Sequence, residues 1–241
     1  MKRNILFALQ LLCASFALSA CAAGYPPAYS AEAIEARVID AETKQPLEGV
    51  IVTADWELRG GGLALGGSSN VGELMVMEAV TDRDGRFYFP AWGPIRQSKG
   101  ELHNRDPRLI LFKSGYRYEI LSNKSRFEAE AALEPVRRSD WNGKTIELKP
   151  FKGTDVQAQY KNLLNFSKEV DSFATWHTDP CQWTKLPLAI NKIMQERKKF
   201  EAQGVSSTWD RTLDQQLLDG EQYFVKACGS AAQNFFKEMK K

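Results

Sequence analysis

The chain has 241 residues and carries 32 lysines and arginines against 30 aspartates and glutamates. Without Lys2 and Arg3, which precede an apolar N-terminal segment, 30 residues of each sign remain. This balance gives no support for the strongly basic surface by which many proteins bind nucleic acids. The length suffices for one large domain or for two small ones, each with a hydrophobic core.

Residues 1–20 have the pattern of a bacterial export signal. The apolar run Ile5–Leu18 follows two basic residues and is too short to span a bilayer, which takes ~20 residues. The run ends in Leu-Ser-Ala-Cys at residues 18–21, which resembles the lipobox of bacterial lipoproteins. The resemblance implies cleavage before Cys21 and lipid on its sulfur, which would attach the chain to a membrane. An ordinary secretory signal, in which Cys21 is incidental, is the alternative.

The residues after Cys21 indicate which membrane would hold the anchor. Ala22 stands where an aspartate would resemble an inner-membrane retention signal. We therefore expect the outer membrane, with the protein facing the periplasm and residues 21–32 as the lipidated tether.

Residues 33–151 alternate between apolar and polar side chains in short runs, a pattern typical of strands with one face in water. Trp56 falls on the predicted buried face with Val52 and Ala54, whereas Thr53 and Asp55 fall on the predicted exposed face. Turn signals such as Asp82-Arg83-Asp84-Gly85 separate the runs. The predicted strands lie near residues 34–38, 50–58, 73–81, 86–90, 108–113, 116–122 and 144–149. The fold class is therefore α+β, and its first part is a seven-stranded antiparallel β-sandwich.

Three motifs in this region occur in an ordered set: VIDAETKQPLEGVIV from residue 38, VTDRDGRFYF from residue 80 and LILFKSGY from residue 109. Together they resemble the carboxypeptidase regulatory-like domain. The resemblance implies a transthyretin-like sandwich of seven strands and an accessory role. It transfers no catalytic residues to this chain.

A glycine-rich stretch, RGGGLALGGSSNVG, interrupts the strand pattern between Leu58 and Glu73. It lacks the Gly-Lys-Ser/Thr ending of a phosphate-binding loop and the spacing of a dinucleotide-binding turn. It therefore indicates a flexible hairpin tip. If this region contacts a partner, we expect the apolar residues Leu63, Ala64 and Leu65 to make the contact.

The two histidines give little support for catalysis. Neither His103 nor His177 begins the H-x-x-E pair by which metallocarboxypeptidases hold zinc, and no G-x-S-x-G motif is present. A nucleophile needs a base within hydrogen-bond reach, which two isolated histidines do not provide. We expect His103 to be a solvated loop residue and His177 to lie at a helix end near a turn. We expect no enzyme, no bound metal and no cofactor; a hydrolase with a site that these motifs do not reveal is the alternative.

From residue 152 onward the apolar residues recur every three or four positions, which indicates helices. The first predicted helix spans Tyr160 to Ala174. The second runs from about Leu186 to Gln203 and ends at Gly204. A third helix, capped by Ser206 or Ser207, extends past Phe235. Residues 152–241 are thus predicted to form an α-helical domain of about three antiparallel helices, as a bundle or as two layers against the sandwich.

Cys181 and Cys228 are the cysteines that remain in the exported chain once Cys21 carries lipid. An even number of cysteines in an exported protein predicts a disulfide. Two buried free thiols are the alternative, and a metal site has less support because no CxxC or clustered histidine accompanies them.

These expectations combine into one functional hypothesis. The chain is predicted to be a non-catalytic binding or scaffold module, lipid-anchored in the outer membrane, that engages an envelope protein or polymer. The alternative is an accessory subunit of a separately encoded envelope peptidase or transporter.

Overall fold

A computed structural model describes residues 27–61, 68–97, 99–103, 105–124, 135–153, 155–174, 179–207 and 209–240. The protein is a mixed α+β structure, with strands in the first part of the chain and helices in the second. Eleven strands occur in the described residues: β1 (Ala28–Ala31), β2 (Ile34–Asp40), β3 (Ile51–Gly61), β4 (Ser68–Val80), β5 (Arg86–Phe89), β6 (Trp92–Arg96), β7 (Glu101–Leu102), β8 (Arg108–Phe112), β9 (Glu119–Leu121), β10 (Val136–Arg137) and β11 (Thr145–Leu148).

These strands form three sheets, with the orders β10-β1-β6, β11-β2-β5 and β4-β3-β8-β9; β7 also pairs with β3. The seven predicted runs all contain strands, but β1, β6, β7 and β10 were not predicted. β1 lies within residues 21–32, the segment predicted as a tether. The arrangement is not wholly antiparallel, because β11 pairs with β2 and β10 pairs with β1 in parallel. The alternation of apolar and polar side chains indicates that a residue is in a strand. It does not indicate whether the neighbouring strand runs parallel or antiparallel.

The turn between β4 and β5 forms as its sequence predicts. The Asp82 carboxylate accepts hydrogen bonds from the backbone N–H groups of Asp84 and Arg86, at 2.9 and 2.8 Å. Gly85 has φ +74°, and a Cβ there would lie 2.3 Å from the carbonyl oxygen of Val38. Glycine is therefore required both for the backbone conformation and for the close approach of β2.

The described helices are α1 (Val156–Phe173), α2 (Pro187–Ala202), α3 (Leu213–Asp219), α4 (Glu221–Cys228) and α5 (Ser230–Met239), with a 3₁₀-helix at Gln182–Lys185. The first two match the predicted helices. The predicted third helix is wrong as a single element, because Gly220 and Gly229 divide it into α3, α4 and α5. It also begins later than predicted: Thr212, not Ser206 or Ser207, forms the capping box with Gln215.

Two hydrophobic clusters lie on opposite faces of β3 and β8. Val52, Ala54 and Trp56 belong to the cluster that strands of all three sheets share. Ile51 and Phe112 belong to the second cluster, which the helices complete. The expectation that one face of β3 meets water is therefore wrong. Thr53 is fully buried, because the helices cover the face that alternation assigned to solvent.

Two contacts fix the helices on this sheet. The rings of Phe112 in β8 and Phe166 in α1 stack with their centroids 4.3 Å apart. The Glu78 carboxylate on β4 accepts hydrogen bonds from the backbone N–H groups of Leu188 and Ala189, at 2.6 and 3.0 Å. The sheet thus supplies an acceptor for the otherwise unpaired N–H groups of the first turn of α2.

Candidate functional site

A cleft of about 590 Å³ opens between the first half of α1 and the loop that precedes α3. Its volume falls within the ~300–1,000 Å³ of typical small-molecule sites. Most of the residues that line it are polar or charged, although apolar atoms form the larger part of its surface, and Trp209 contributes a large aromatic ring. We call it the Trp209 cleft; residues between 155 and 168 line one side, and Ser206, Ser207, Trp209 and Asp210 line the other.

Hydrogen bonds anchor the loop at residues 206–212 to α1. The backbone N–H of Ser207 donates to the hydroxyl of Tyr160 at 3.1 Å. The ammonium group of Lys168 lies 3.0 Å from the carboxylate of Asp210. Just beyond the loop, the backbone N–H of Leu213 donates to the Ser167 hydroxyl at 2.7 Å. The cleft wall that carries Trp209 is therefore attached to the helix on both sides of that residue.

Trp209 is 92% exposed, whereas Trp56 and Trp183 are fully or almost fully buried in the two clusters. An isolated exposed apolar residue is common and needs no explanation. Trp209 differs because it lines a cleft and sits on an anchored loop. Tryptophan is enriched among the residues that contribute most to binding interfaces. This combination makes the Trp209 cleft the candidate binding site.

Charges in the cleft lining balance, with Asp155 and Asp210 against Lys161 and Lys168. Several of these groups already have partners within the protein. Lys168 and Asp210 form an ion pair, and the Asp155 carboxylate accepts a hydrogen bond from the N–H of Ala158 at the start of α1. The cleft therefore presents no strong net charge.

A second group of polar residues lies on the helix-facing side of β3. The Arg108 guanidinium pairs with the fully buried Asp55 carboxylate, with Nε 3.2 Å from Oδ1. It also reaches α1, where it lies 3.5 Å from the Glu169 carboxylate and donates to the Ser172 hydroxyl at 3.0 Å. This network joins the sheet to the last turn of α1.

The carboxyl groups around Arg108 keep protons more tightly than ordinary acids. Burial raises the pKa of Glu73, and the charge of Asp55 raises it further. Burial also raises the pKa of Asp55, although Arg108 opposes the effect. The Asn70 side-chain amide donates a hydrogen bond to the Glu73 carboxyl group at 2.9 Å. Asp106 is almost completely buried, which raises its pKa well above the usual range.

The carboxyl groups of Asp55, Glu73 and Asp106 do not form a metal site. Across the part of the chain that the structure describes, no three His, Cys, Asp or Glu side chains are arranged to hold a metal ion. Nδ1 of His103 lies 4.0 Å from the Asp106 carboxylate, and burial lowers the pKa of His103. His103 is thus half-buried beside a carboxyl group, and not the solvated loop residue that we expected.

The predicted disulfide between Cys181 and Cys228 is present, with the two Cα atoms 5.5 Å apart. It joins the segment before the 3₁₀-helix to the end of α4. Trp183 packs close by against the rings of Phe224, Phe235 and Phe236. The disulfide therefore secures a hydrophobic cluster and lies outside the lining of the Trp209 cleft.

The other predicted site residues cannot be placed relative to this cleft. Cys21, the loop residues Leu63, Ala64 and Leu65, and His177 lie outside the described residues. None of the described helices is both long and apolar enough to cross a membrane.

Sequence reasoning missed Trp209 altogether. The available signal was its setting, since residues 205–210 read Val-Ser-Ser-Thr-Trp-Asp and place an aromatic ring among short polar side chains. Periodicity attributed this segment to a helix, in which a tryptophan would be expected to pack into the core.

No protein-family model matches the sequence, and no curated protein matches it either. Among solved structures, the chain is similar to the dioxygenase domain of a dioxygenase carbohydrate-binding protein fusion from Streptomyces sp. SirexAA-E. That match has 14% identity and a TM-score of 0.26, and it covers 54% of this chain and 84% of the other. A 9R-lipoxygenase from Cyanothece PCC8801 matches with 12% identity and a TM-score of 0.26, over 72% of this chain and 26% of the other.

These matches correct one expectation. Both solved structures are named as enzymes, so the exclusion of catalysis drawn from the missing motifs is wrong as an exclusion and is withdrawn. Missing motifs exclude only the chemistries that use them. At a TM-score of 0.26 the matches assign no activity to this chain.

Proposed function

We propose that this protein is a lipid-anchored component of the bacterial outer membrane that binds an envelope partner or polymer through the Trp209 cleft. The lipobox-like residues 18–21 support the anchor, which would be lipid on Cys21. The disulfide between Cys181 and Cys228 supports an oxidising compartment such as the periplasm.

The proposed body is a transthyretin-like sandwich of the carboxypeptidase regulatory-like kind, followed by a helical domain. The hydrophobic cluster shared by the three sheets supports the sandwich. The helices that carry the cleft pack on the outer face of β3 and β8. In this arrangement the sandwich is the support, and the helical part presents the binding site.

One observation carries the proposal: Trp209 is 92% exposed at a cleft whose wall is anchored by hydrogen bonds. Exposing an indole ring to water is unfavourable by ~25 cal/mol per Å² of apolar surface, so burial against a ligand would recover that free energy. An anchored loop also loses little conformational freedom when it binds.

The anchor and the cleft can be tested separately. Wild-type protein should carry the mass of a lipid at Cys21 and partition into the detergent-rich phase of a Triton X-114 extraction, whereas Cys21→Ala should carry no lipid and partition into the aqueous phase. An unacylated Cys21 in the mature wild-type protein would contradict the anchor.

Binding should then be measured in the Cys21→Ala background, so that lipid insertion contributes nothing. We expect isolated envelopes to retain this protein and to lose it when Trp209→Ala is added. Tyr223→Ala is the matched control, because Tyr223 is an aromatic residue on α4 with 59% exposure outside the cleft. Equal retention of the two variants would refute the binding role of the cleft. Crosslinking to a peptidase or transporter would favour the accessory-subunit alternative.

A further inference from the structure

We infer that the Trp209 cleft binds a neutral saccharide chain, with a sugar ring stacked on the indole of Trp209. This inference rests on the proposed function and names the class of its ligand. Three features of the cleft support it: the aromatic face, the neutral polar groups and the balance of charge.

The first feature is the shape of the aromatic surface. Indole offers a flat apolar face and one N–H donor. A pyranose ring has a complementary surface, because its axial C–H bonds form an apolar face and its hydroxyl groups point outward around the rim. At 92% exposure, the Trp209 ring is available to such a ring without a rearrangement of the protein.

The second feature is the set of neutral polar groups in the lining, which include Asn165, Gln157 and Ser206. Amide and hydroxyl side chains can both donate and accept hydrogen bonds. Sugar hydroxyl groups have the same dual capacity, so such side chains can match them in more than one orientation. An apolar peptide side chain would leave these polar groups without partners, which is unfavourable.

The third feature is the balance of positive and negative charges in the lining. Lys168 and Asp210 pair with each other, and Asp155 caps α1, so these charges are already compensated within the protein. A polyanion, such as a phosphate-containing polymer, would need several uncompensated basic groups. Lys161 alone does not meet that need. The lining therefore favours an uncharged ligand over a charged one.

The experiment is calorimetric titration of the Cys21→Ala protein with the tetrasaccharides chitotetraose and maltotetraose, and with linear polyphosphate as the charged comparator. We expect saturable binding of at least one tetrasaccharide and little change with ionic strength, because screening acts on charges. Trp209→Ala should weaken binding by about tenfold or more, the loss typical of a central aromatic contact. Trp209→Phe should lose less, and Tyr223→Ala should bind like the parent.

Folding does not confound this test, because the Trp209 side chain is exposed and its removal leaves the core intact; circular dichroism checks the point. The inference is overturned if neither tetrasaccharide binds, if Trp209→Ala binds as tightly as the parent, or if only polyphosphate binds. Failure with both tetrasaccharides, together with Trp209-dependent retention on envelopes, would remove the saccharide and leave the proposed function standing. Retention that does not depend on Trp209 would remove both.

Discussion

Replacing Thr53 with valine should stabilise the protein. Thr53 lies near the start of β3, between Glu78 on β4 and Ile110 on β8, and is fully buried beneath the helices. Its hydroxyl oxygen has no hydrogen-bond partner among the described residues. A buried hydroxyl without a partner costs ~1–3 kcal/mol by mutational data. Valine has nearly the same shape and no polar atom, so we expect a gain of about 1–3 kcal/mol in the free energy of unfolding.

Thr81→Val is the matched control, because the same substitution there removes a hydroxyl that is fully used. The Thr81 hydroxyl donates to the carbonyl of Leu47 at 2.6 Å and accepts from the N–H of Val50 at 2.9 Å. Its loss leaves two backbone groups unpaired and should lower the free energy of unfolding by about 1–3 kcal/mol.

Thermal and urea unfolding, followed by circular dichroism, would measure both changes. For a chain of this size each kcal/mol corresponds to a shift of about 2–4 °C in Tm. Opposite signs for the two variants would support the assignment. A Thr53→Val variant that loses stability as Thr81→Val does would show that the Thr53 hydroxyl has a partner, and the argument would fail.

Three further predictions concern the rest of the molecule. Removing the disulfide with Cys181→Ala and Cys228→Ala should lower the free energy of unfolding by about 4 kcal/mol on the chain-entropy model, as urea titration would reveal; an unchanged midpoint would contradict it. Because burial raises the pKa of Glu73, its contribution to stability is complete at acidic pH, below the ordinary pKa of a glutamate, and is lost as the pH rises through the raised value. Glu73→Gln should therefore flatten the decline of stability between about pH 4.5 and about pH 9, and an unaltered slope would refute the assignment. Arg197→Met should cost about 3–5 kcal/mol because it leaves the buried Asp214 carboxylate, 2.7 Å from the guanidinium, without its cation; a loss below about 1 kcal/mol in a melting experiment would count against this ion pair.

The behaviour of β3 shows how far its sequence can be interpreted. Alternation correctly placed Val52, Ala54 and Trp56 in the core, since three apolar residues on one face need a partner surface. It failed for Thr53 and Asp55, which are polar and yet fully buried. Local polarity does not reveal that helices far along the chain cover the second face, or that Arg108 on the adjacent strand pairs with Asp55.

The helical part shows a similar division between local and tertiary information. The spacing of apolar residues and the local composition correctly predicted α1 and α2. The number of cysteines correctly predicted the disulfide. The third helix was assigned too long, because apolar residues continue at helical spacing through Gly220 and Gly229. At Gly229 the backbone adopts φ +58°, which the spacing of its neighbours cannot show. The Trp209 cleft could not be predicted, because it depends on the tertiary hydrogen bonds that Tyr160, Ser167 and Lys168 of α1 make with the segment before α3.

The burial of both faces of β3 and β8 has a consequence for how this chain can be divided. A fragment that stopped near residue 151 would leave Ile51, Ile110 and Phe112 facing water, and such an apolar surface on a sheet favours aggregation. It would also leave the Glu78 carboxylate without the backbone N–H groups of α2. The helices would in turn lose the surface on which Phe166 stacks. Neither part is an interchangeable module, so a truncation or gene fusion at this position would disrupt both. The two parts of the chain would have to be inherited together.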